Sequence, residues 1–159
     1  SVDLEKGKCW WFGQEKEATH IIAKLMEMTM DNKPFTLNGN DFDTHDGTCV
    51  RDYVHVDDVA NGIAMAVDFT EFKNDAYVFN LGNGEGYSNL DIVLAVGDNT
   101  PLQPVVSTGP AHAGDPAKLV ADSKLANTLL KWQPKYGLDT IVKTAYNYYL
   151  KTNKTTSSS

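Results

Sequence analysis

An α/β fold is predicted for this chain, and three observations predict it. Runs with helical apolar spacing alternate with short runs of strand character, which implies helices layered on a sheet. Clusters of Gly, Asn, Asp and Pro separate these runs. The 159 residues, 42% hydrophobic and 10% aromatic, fit one domain with a sizeable core.

The elements follow in order. From Thr19, the positions Ile21, Ile22, Leu25 and Met26, with Lys24 and Glu27 between them, predict an amphipathic helix that stops before Pro34. Phe35–Asn38 is a short strand. Residues 39–47 are turn formers and lead to a strand over residues 50–56, with Val50, Asp52, Val54 and Val56 on one face. Asp57 or Asp58 then caps a helix whose apolar positions are Val59, Ile63, Ala66 and Val67. Residues 77–81 have the composition of a buried strand. After the glycine-rich residues 82–86, Ser88-Asn89-Leu90-Asp91 has capping-box spacing and opens a helix to about Val96. Strands are expected over residues 103–107 and 118–122. A short helix runs from Ser123 to Leu130, and a final helix from Leu138 to about Leu150 buries Leu138, Ile141, Val142, Ala145 and Tyr149. Residues 1–151 are thus one lobe and 152–159 a disordered polar tail. Cys9-Trp10-Trp11-Phe12 is an apolar cluster with no periodic element before it, a hint of a fragment.

The net charge of -7 argues against a nucleic-acid binder, which needs a basic stripe to displace counterions. A pocket holding one or two cations remains compatible with it. Cys9 and Cys49 lack a CxxC arrangement or a histidine at ligand spacing, and reduced cysteines in a cytoplasmic protein are the simple reading. No leader and no membrane-spanning run is evident, and Asn153-Lys154-Thr155 is a chance glycosylation match.

Two features draw chemical interest. Gly82-Asn83-Gly84-Glu85-Gly86 lies between a strand and a helix, where glycine turns cradle phosphates. Tyr87 stands where the third glycine of GxGxxG belongs, no acid follows at ribose-binding distance, and Glu85 would repel a pyrophosphate, so a structural turn is expected. Arg51 is the single arginine of the chain. It could grip a phosphate with two prongs, or pair with Asp52, Asp57 or Asp58. His20, His45, His55 and His112 show no metal spacing, and no metal site is expected.

Asp46-Gly47-Thr48-Cys49-Val50-Arg51-Asp52-Tyr53-Val54-His55-Val56-Asp57-Asp58 closely resembles the DGTCVRDYIHVDDLA signature of UDP-glucose 4-epimerases, members of the extended short-chain dehydrogenases. Collinear with it, Glu17-Ala18-Thr19-His20-Ile21-Ile22 is similar to the family's ETHLIP, and Gly39-Asn40-Asp41-Phe42-Asp43-Thr44 to GDDYDT. Asn80-Leu81-Gly82-Asn83-Gly84-Glu85-Gly86-Tyr87-Ser88 resembles NLGNGxGYS, and residues 114–123 resemble GDPAxLVADS. The resemblance implies the small mixed α/β substrate-binding lobe of such an enzyme, its C-terminal half, lacking the Rossmann half. It places Arg51 on the arginine that grips the UDP diphosphate, Asp115 on an acid contacting the ribose, and His20 near the diphosphate. Thr36, Leu37 and Asn38 fall on the segment facing uracil, Tyr53 in the signature strand, and Leu119 near the sugar's 2-substituent.

The departures from the pattern carry expectations of their own. His112 stands where the family has a second diphosphate-binding arginine, and an imidazole in that place should cost on the order of 1–3 kcal/mol of affinity. Ala23 replaces a proline. No GxxGxxG and no Tyr-x-x-x-Lys is present. The chain is therefore expected to bind no NAD and catalyse nothing alone, the cofactor belonging to the missing N-terminal half. Its expected partners are a UDP-sugar and a separate or missing NAD-binding half, with a homodimer or larger assembly left open; an old lobe kept as a non-catalytic interaction subunit is the alternative. A nucleotide-sugar dehydratase is disfavoured by the signature string.

Overall fold

The computed structural model describes residues 2–3, 8–9, 20–71 and 75–156. Among these described residues twelve elements follow in chain order: β1 (Val2–Asp3), β2 (Lys8–Cys9), α1 (Ile21–Met30), β3 (Phe35–Asn38), β4 (Val50–Arg51), α2 (Val56–Thr70), β5 (Tyr87–Ser88), α3 (Asn89–Asn99), β6 (Val106–Gly109), β7 (Lys118–Leu119), a π-helical turn (Ala126–Leu130) and α4 (Leu138–Thr156). The mixed α/β architecture is the one expected. β1 and β2 pair antiparallel. β3 and β6 form a parallel pair in the register Phe35–Val106 to Asn38–Gly109. In the remaining sheet β4 is central, antiparallel to β5 and parallel to β7. The Trp10-Trp11-Phe12 part of the apolar cluster lies outside the described residues, as does residue 19 at the expected start of α1.

The main core lies where α1, α3, α4 and β3 meet. Leu25, Met26, Phe35, Leu37, Ile92, Val93, Ala95, Val96 and Val142 are buried there. Local chemistry sets the ends of these helices. Ser88 accepts from the Asp91 N–H, and the Asp91 carboxylate accepts from the Ser88 N–H, so the expected capping box forms. α3 continues to Asn99, and Thr100 satisfies the carbonyl of Val96 through both its N–H and its hydroxyl.

A second apolar cluster, Ala126, Leu130 and Trp132, packs against α2 through Met65, Ala66 and Phe69 and against Phe79 and Leu81. Asp58 is buried here, with 2% exposure. Its carboxylate accepts from the N–H groups of Lys135 and Tyr136, and its carbonyl accepts from the Trp132 indole N–H at 2.8 Å. Gly62 is required at this joint, because a Cβ would come within 2.7 Å of Leu81 and 2.9 Å of the Trp132 indole nitrogen.

Several expectations are corrected. The strand expected over residues 50–56 pairs only at Val50 and Arg51, because the Asp52 carboxylate turns to accept N–H groups of Asn83, Gly84 and Ala121. Val56 opens α2 and is 71% exposed. The cap of α2 is His55, whose Nδ1 accepts from the Asp57 N–H, rather than Asp57 or Asp58. Ile63 and Val67, expected inward, face solvent, since α2 presents Asp58, Gly62 and Met65 to Trp132 instead. Residues 77–81 keep strand-like alternation, with Tyr77, Phe79 and Leu81 half-buried and Val78 and Asn80 exposed, yet no strand pairs with them among the described residues. The strand expected over residues 118–122 is confined to Lys118–Leu119. The short helix to Leu130 ends in a π-helical turn closed by Lys131 in the left-handed conformation. α4 passes the expected end at Leu150 and runs to Thr156, into the segment read as a disordered tail; backbone pairing needs no apolar face to continue.

Candidate functional site

A cavity of about 490 Å³ opens between α1, β3, β4 and the loop before β7. Of the residues singled out in the sequence, Thr36, Asn38, Arg51, His112 and Asp115 line it together. They come from three separate stretches of chain, and each is fixed by its own local structure.

Strand alternation sorts the β3 segment. Phe35 and Leu37 point into the core at 7% and 6% exposure, while Thr36 and Asn38 face the opposite side. Leu37 is thus a core residue and leaves its two neighbours to the cavity. The Thr36 hydroxyl meets the Ser107 hydroxyl at 3.2 Å, and the Asn38 side-chain N–H donates to His112 Nε2 at 2.9 Å. Gly109, opposite Asn38 on β6, makes room for both side chains, since a Cβ there would lie 2.8 Å from Thr36 Cγ2 and 3.1 Å from Asn38 Oδ1.

Arg51 sits on the central strand β4 between Tyr87 and Leu119. Its Nη1 donates to the carbonyls of Val50 at 2.8 Å and Pro116 at 2.9 Å, and its Nη2 lies 3.8 Å from the Asp115 carboxylate. Asp115, and not Asp52, Asp57 or Asp58, is therefore its ion-pair partner. Asp52 is committed to backbone N–H groups, Asp58 is buried against Trp132, and Asp57 sits in the first turn of α2. The guanidinium is held rigidly at the cavity wall.

The remaining candidates lie elsewhere. His20 is the exposed N-cap residue of α1 and makes no side-chain cap bond. Tyr53 packs against the main core. Burial, and then nearby Cys49, push its phenol up to about 12 against the opposing Arg51. Leu119 lies on β7 beside Arg51 and is 62% exposed.

Sequence reasoning missed Ile21, Lys24, Met28, Phe35, Cys49 and Asn89, which also line the cavity. Ile21, Lys24 and Met28 recur at i, i+3 and i+7 and so share a face of α1, which is the signal that was available. Cys49 is buried and accepts from the Asn89 side-chain N–H at 3.2 Å, a contact between segments that spacing does not reveal.

The glycine turn is structural. The N–H groups of Asn83 and Gly84 go to Asp52, those of Glu85 and Gly86 to the Asn83 side chain, and that of Gly82 to the Ser123 hydroxyl. No donor in it is left for a phosphate, and the turn does not fit a dinucleotide pyrophosphate.

His45, Asp46 and Asp91 gather their side-chain ends within 4.8 Å at the start of α3. Their carboxylates are already engaged: Asp46 accepts from Thr48 and from the Ser88 hydroxyl, and Asp91 from the Ser88 N–H. Burial would raise the Asp46 carboxyl, but the Ser88 and Thr48 bonds, helped by nearby His45, hold it below its ordinary value. Among the described residues no helix is long and apolar enough to cross a membrane.

The site carries two cationic side chains, Lys24 and Arg51, against one acid, Asp115, in a chain of net charge -7. Such an arrangement suits an anion bearing hydrogen-bonding groups. Comparison with known proteins narrows the class. The NAD dependent epimerase/dehydratase family profile matches residues 9–82. The UDP-glucose 4-epimerase of Lactobacillus helveticus is 40% identical over 134 residues, which are 82% of this chain and 40% of that protein. The UDP-glucose 4-epimerase of Bifidobacterium longum, solved in complex with NAD+ and UDP, superimposes with a TM-score of 0.80 at 29% identity over 87% of this chain and 42% of that one. The enzyme from Stenotrophomonas maltophila, with bound NAD and formylated UDP-arabinopyranose, gives 0.83 at 27% identity over 87% and 42%. The chain spans about two fifths of the length of the curated relatives it matches. Shared sequence and shared fold relate the chain, along most of its length, to part of the UDP-glucose 4-epimerases, and residues 9–82 to the NAD dependent epimerase/dehydratase family.

Proposed function

We propose that this chain is the nucleotide-sugar-binding, C-terminal lobe of a UDP-glucose/UDP-galactose 4-epimerase, acting in the cytoplasm and not catalytic by itself. The observation that carries the reading is the meeting of Thr36, Asn38, Arg51, His112 and Asp115 around one cavity, although β3 and the loop holding His112 lie more than seventy positions apart in the chain. Thr36 and Asn38 offer hydroxyl and amide groups to a base, Asp115 offers a carboxylate to a ribose, and Arg51 offers a guanidinium to a diphosphate. NAD and the proton-transferring residues belong, in this reading, to a further NAD-binding half.

Two surface features support joining that half. Residues 77–81 are extended and lack a paired strand among the described residues, so backbone groups remain for another sheet. On α2, Val56, Ile63 and Val67 form one exposed stripe. The same surface would serve a homo-oligomer.

A second reading, an interaction subunit that has lost substrate binding, is favoured by His112 in place of arginine and by the engagement of Arg51 with Asp115. Calorimetric titration of UDP into the folded chain and into Arg51→Ala separates the two. The lobe reading expects saturable binding that weakens at least tenfold in the variant, as loss of a charge-assisted contact requires. Absence of heat at millimolar UDP, both alone and with a supplied NAD-binding half, would favour the interaction subunit.

A further inference from the structure

We propose that Lys24 is the second diphosphate-binding cation of this chain, supplying from α1 the charge that His112 does not supply from the loop before β7; the inference rests on the cavity being a nucleotide-sugar site. Three observations lead to it.

First, Arg51 brings little net charge to the cavity. Its Nη2 faces the Asp115 carboxylate at 3.8 Å, and its Nη1 is spent on the carbonyls of Val50 and Pro116. Arg51 and Asp115 together sum to about zero, whereas a nucleoside diphosphate ester brings about two negative charges.

Second, His112 is arranged as an acceptor. An amide N–H can only donate, so the 2.9 Å contact from Asn38 Nδ2 to Nε2 uses the ring nitrogen's lone pair. The side chain that could have been the second cation is thereby occupied in holding the base-facing Asn38.

Third, Lys24 lines the same cavity on the face of α1 that carries Ile21 and Met28, and it is exposed. No ion pair involves it among the described residues, whereas Lys33 pairs with Asp31 and Lys124 with Asp122, among others. An ammonium on a four-carbon stem is a mobile point charge with three donors, able to follow a phosphate that no fixed fork addresses. Its addition turns the lining from neutral to net positive. Electrostatic recognition here is divided: Arg51 is the rigid fixture, and Lys24 is the cation that closes onto the ligand.

The test titrates three probes into the intact chain, into Lys24→Gln and into Lys24→Arg: UDP, inorganic pyrophosphate, and uridine followed by chemical-shift changes. Because Lys24 is exposed, both variants should unfold at the wild-type temperature within experimental scatter. Lys24→Gln should bind UDP and pyrophosphate about tenfold more weakly and uridine unchanged, with a shallower salt dependence, and Lys24→Arg should recover most of the loss. Wild-type affinity for UDP in Lys24→Gln, alongside a loss in Arg51→Ala, would overturn the role of Lys24 and leave the nucleotide-sugar reading standing. An equal loss for UDP and uridine would also overturn it, since a positioning defect has no preference for phosphate. A wild-type chain that binds neither UDP nor pyrophosphate removes the nucleotide-sugar reading itself, and the inference with it.

Discussion

The two apolar clusters of this chain differ in completeness. The main core, built from α1, α3, α4 and β3, is closed: Leu25, Ile92, Val96 and Val142 have no exposed surface. The cluster around Trp132 has few fully buried residues, and its neighbours Met65, Ala66, Phe69, Phe79 and Leu81 are only half-buried. α2 carries an exposed apolar stripe, and residues 77–81, whose Phe79 and Leu81 join this cluster, pair with no strand among the described residues. The first region is held chiefly by apolar burial, with helix caps and the β3–β6 ladder at its edges. The second is held in large part by polar joints at Asp58 and Asp52, and has an apolar face still open to water. The candidate cavity borders the closed region; the open region is where a partner would have surface to bury.

Mutations should reproduce this difference. The largest effect is expected in the closed core, where Leu25→Ala should cost about 3 kcal/mol in urea unfolding, from lost transfer energy and the cavity left behind. In the open region the sensitive position is polar. Asp58→Ala should cost about 2 kcal/mol, because the N–H groups of Lys135 and Tyr136 lose their acceptor in a buried setting. Amide exchange would sharpen the contrast: Asp58→Ala should speed exchange in α2 more than in α3, and uniform acceleration would mean that the two regions unfold as one.

A smaller effect should appear in acid. The Asp46 carboxyl is held below its ordinary value of 3.8 in the fold, so the charged form is favoured by folding. Its contribution is fully present above the unfolded value and is lost as pH falls through the lower folded value. Asp46→Asn should therefore flatten stability against pH below about 4 and leave its slope near neutrality unchanged. A variant with the wild-type acid slope would assign that titration to other carboxylates.

Much of the closed region was legible in the sequence because its signals are local. The apolar spacing of α1, the alternation of β3 and the capping box of α3 each lie within a few residues of what they determine. The alternation of β3 even held the sorting of Leu37 inward and of Thr36 and Asn38 outward. The open region was misread where a distant contact decided the outcome. Asp52 ended β4 by capturing N–H groups about thirty and about seventy positions away, and Asp58 turned α2 so that a carboxylate faced inward and Ile63 outward. In the cavity, Arg51 came to notice as the single arginine of the chain, and His112 and Asp115 through resemblance to a motif. Lys24 had its helical spacing with Ile21 and Met28 to mark it, whereas Cys49 and Asn89 gained their place only when the segment before β4 met α3, which no spacing within one element encodes.

The smallest expected effect on stability tests the openness most directly. Ile63 and Val67 are 57% and 62% exposed, and with Val56 they lie within one narrow arc of α2. Side chains already facing water have little transfer energy to lose, so the pair Ile63→Gln and Val67→Gln should change unfolding free energy by less than about 0.5 kcal/mol. The same change removes the centre of an apolar stripe, and self-association measured by sedimentation should fall relative to the wild type. A loss of stability as large as that of Leu25→Ala would mean that the stripe is packed within this chain, and the contrast between a closed and an open cluster would fail. A neutral variant that also no longer joins a supplied NAD-binding half would assign the stripe to the interface between the two halves.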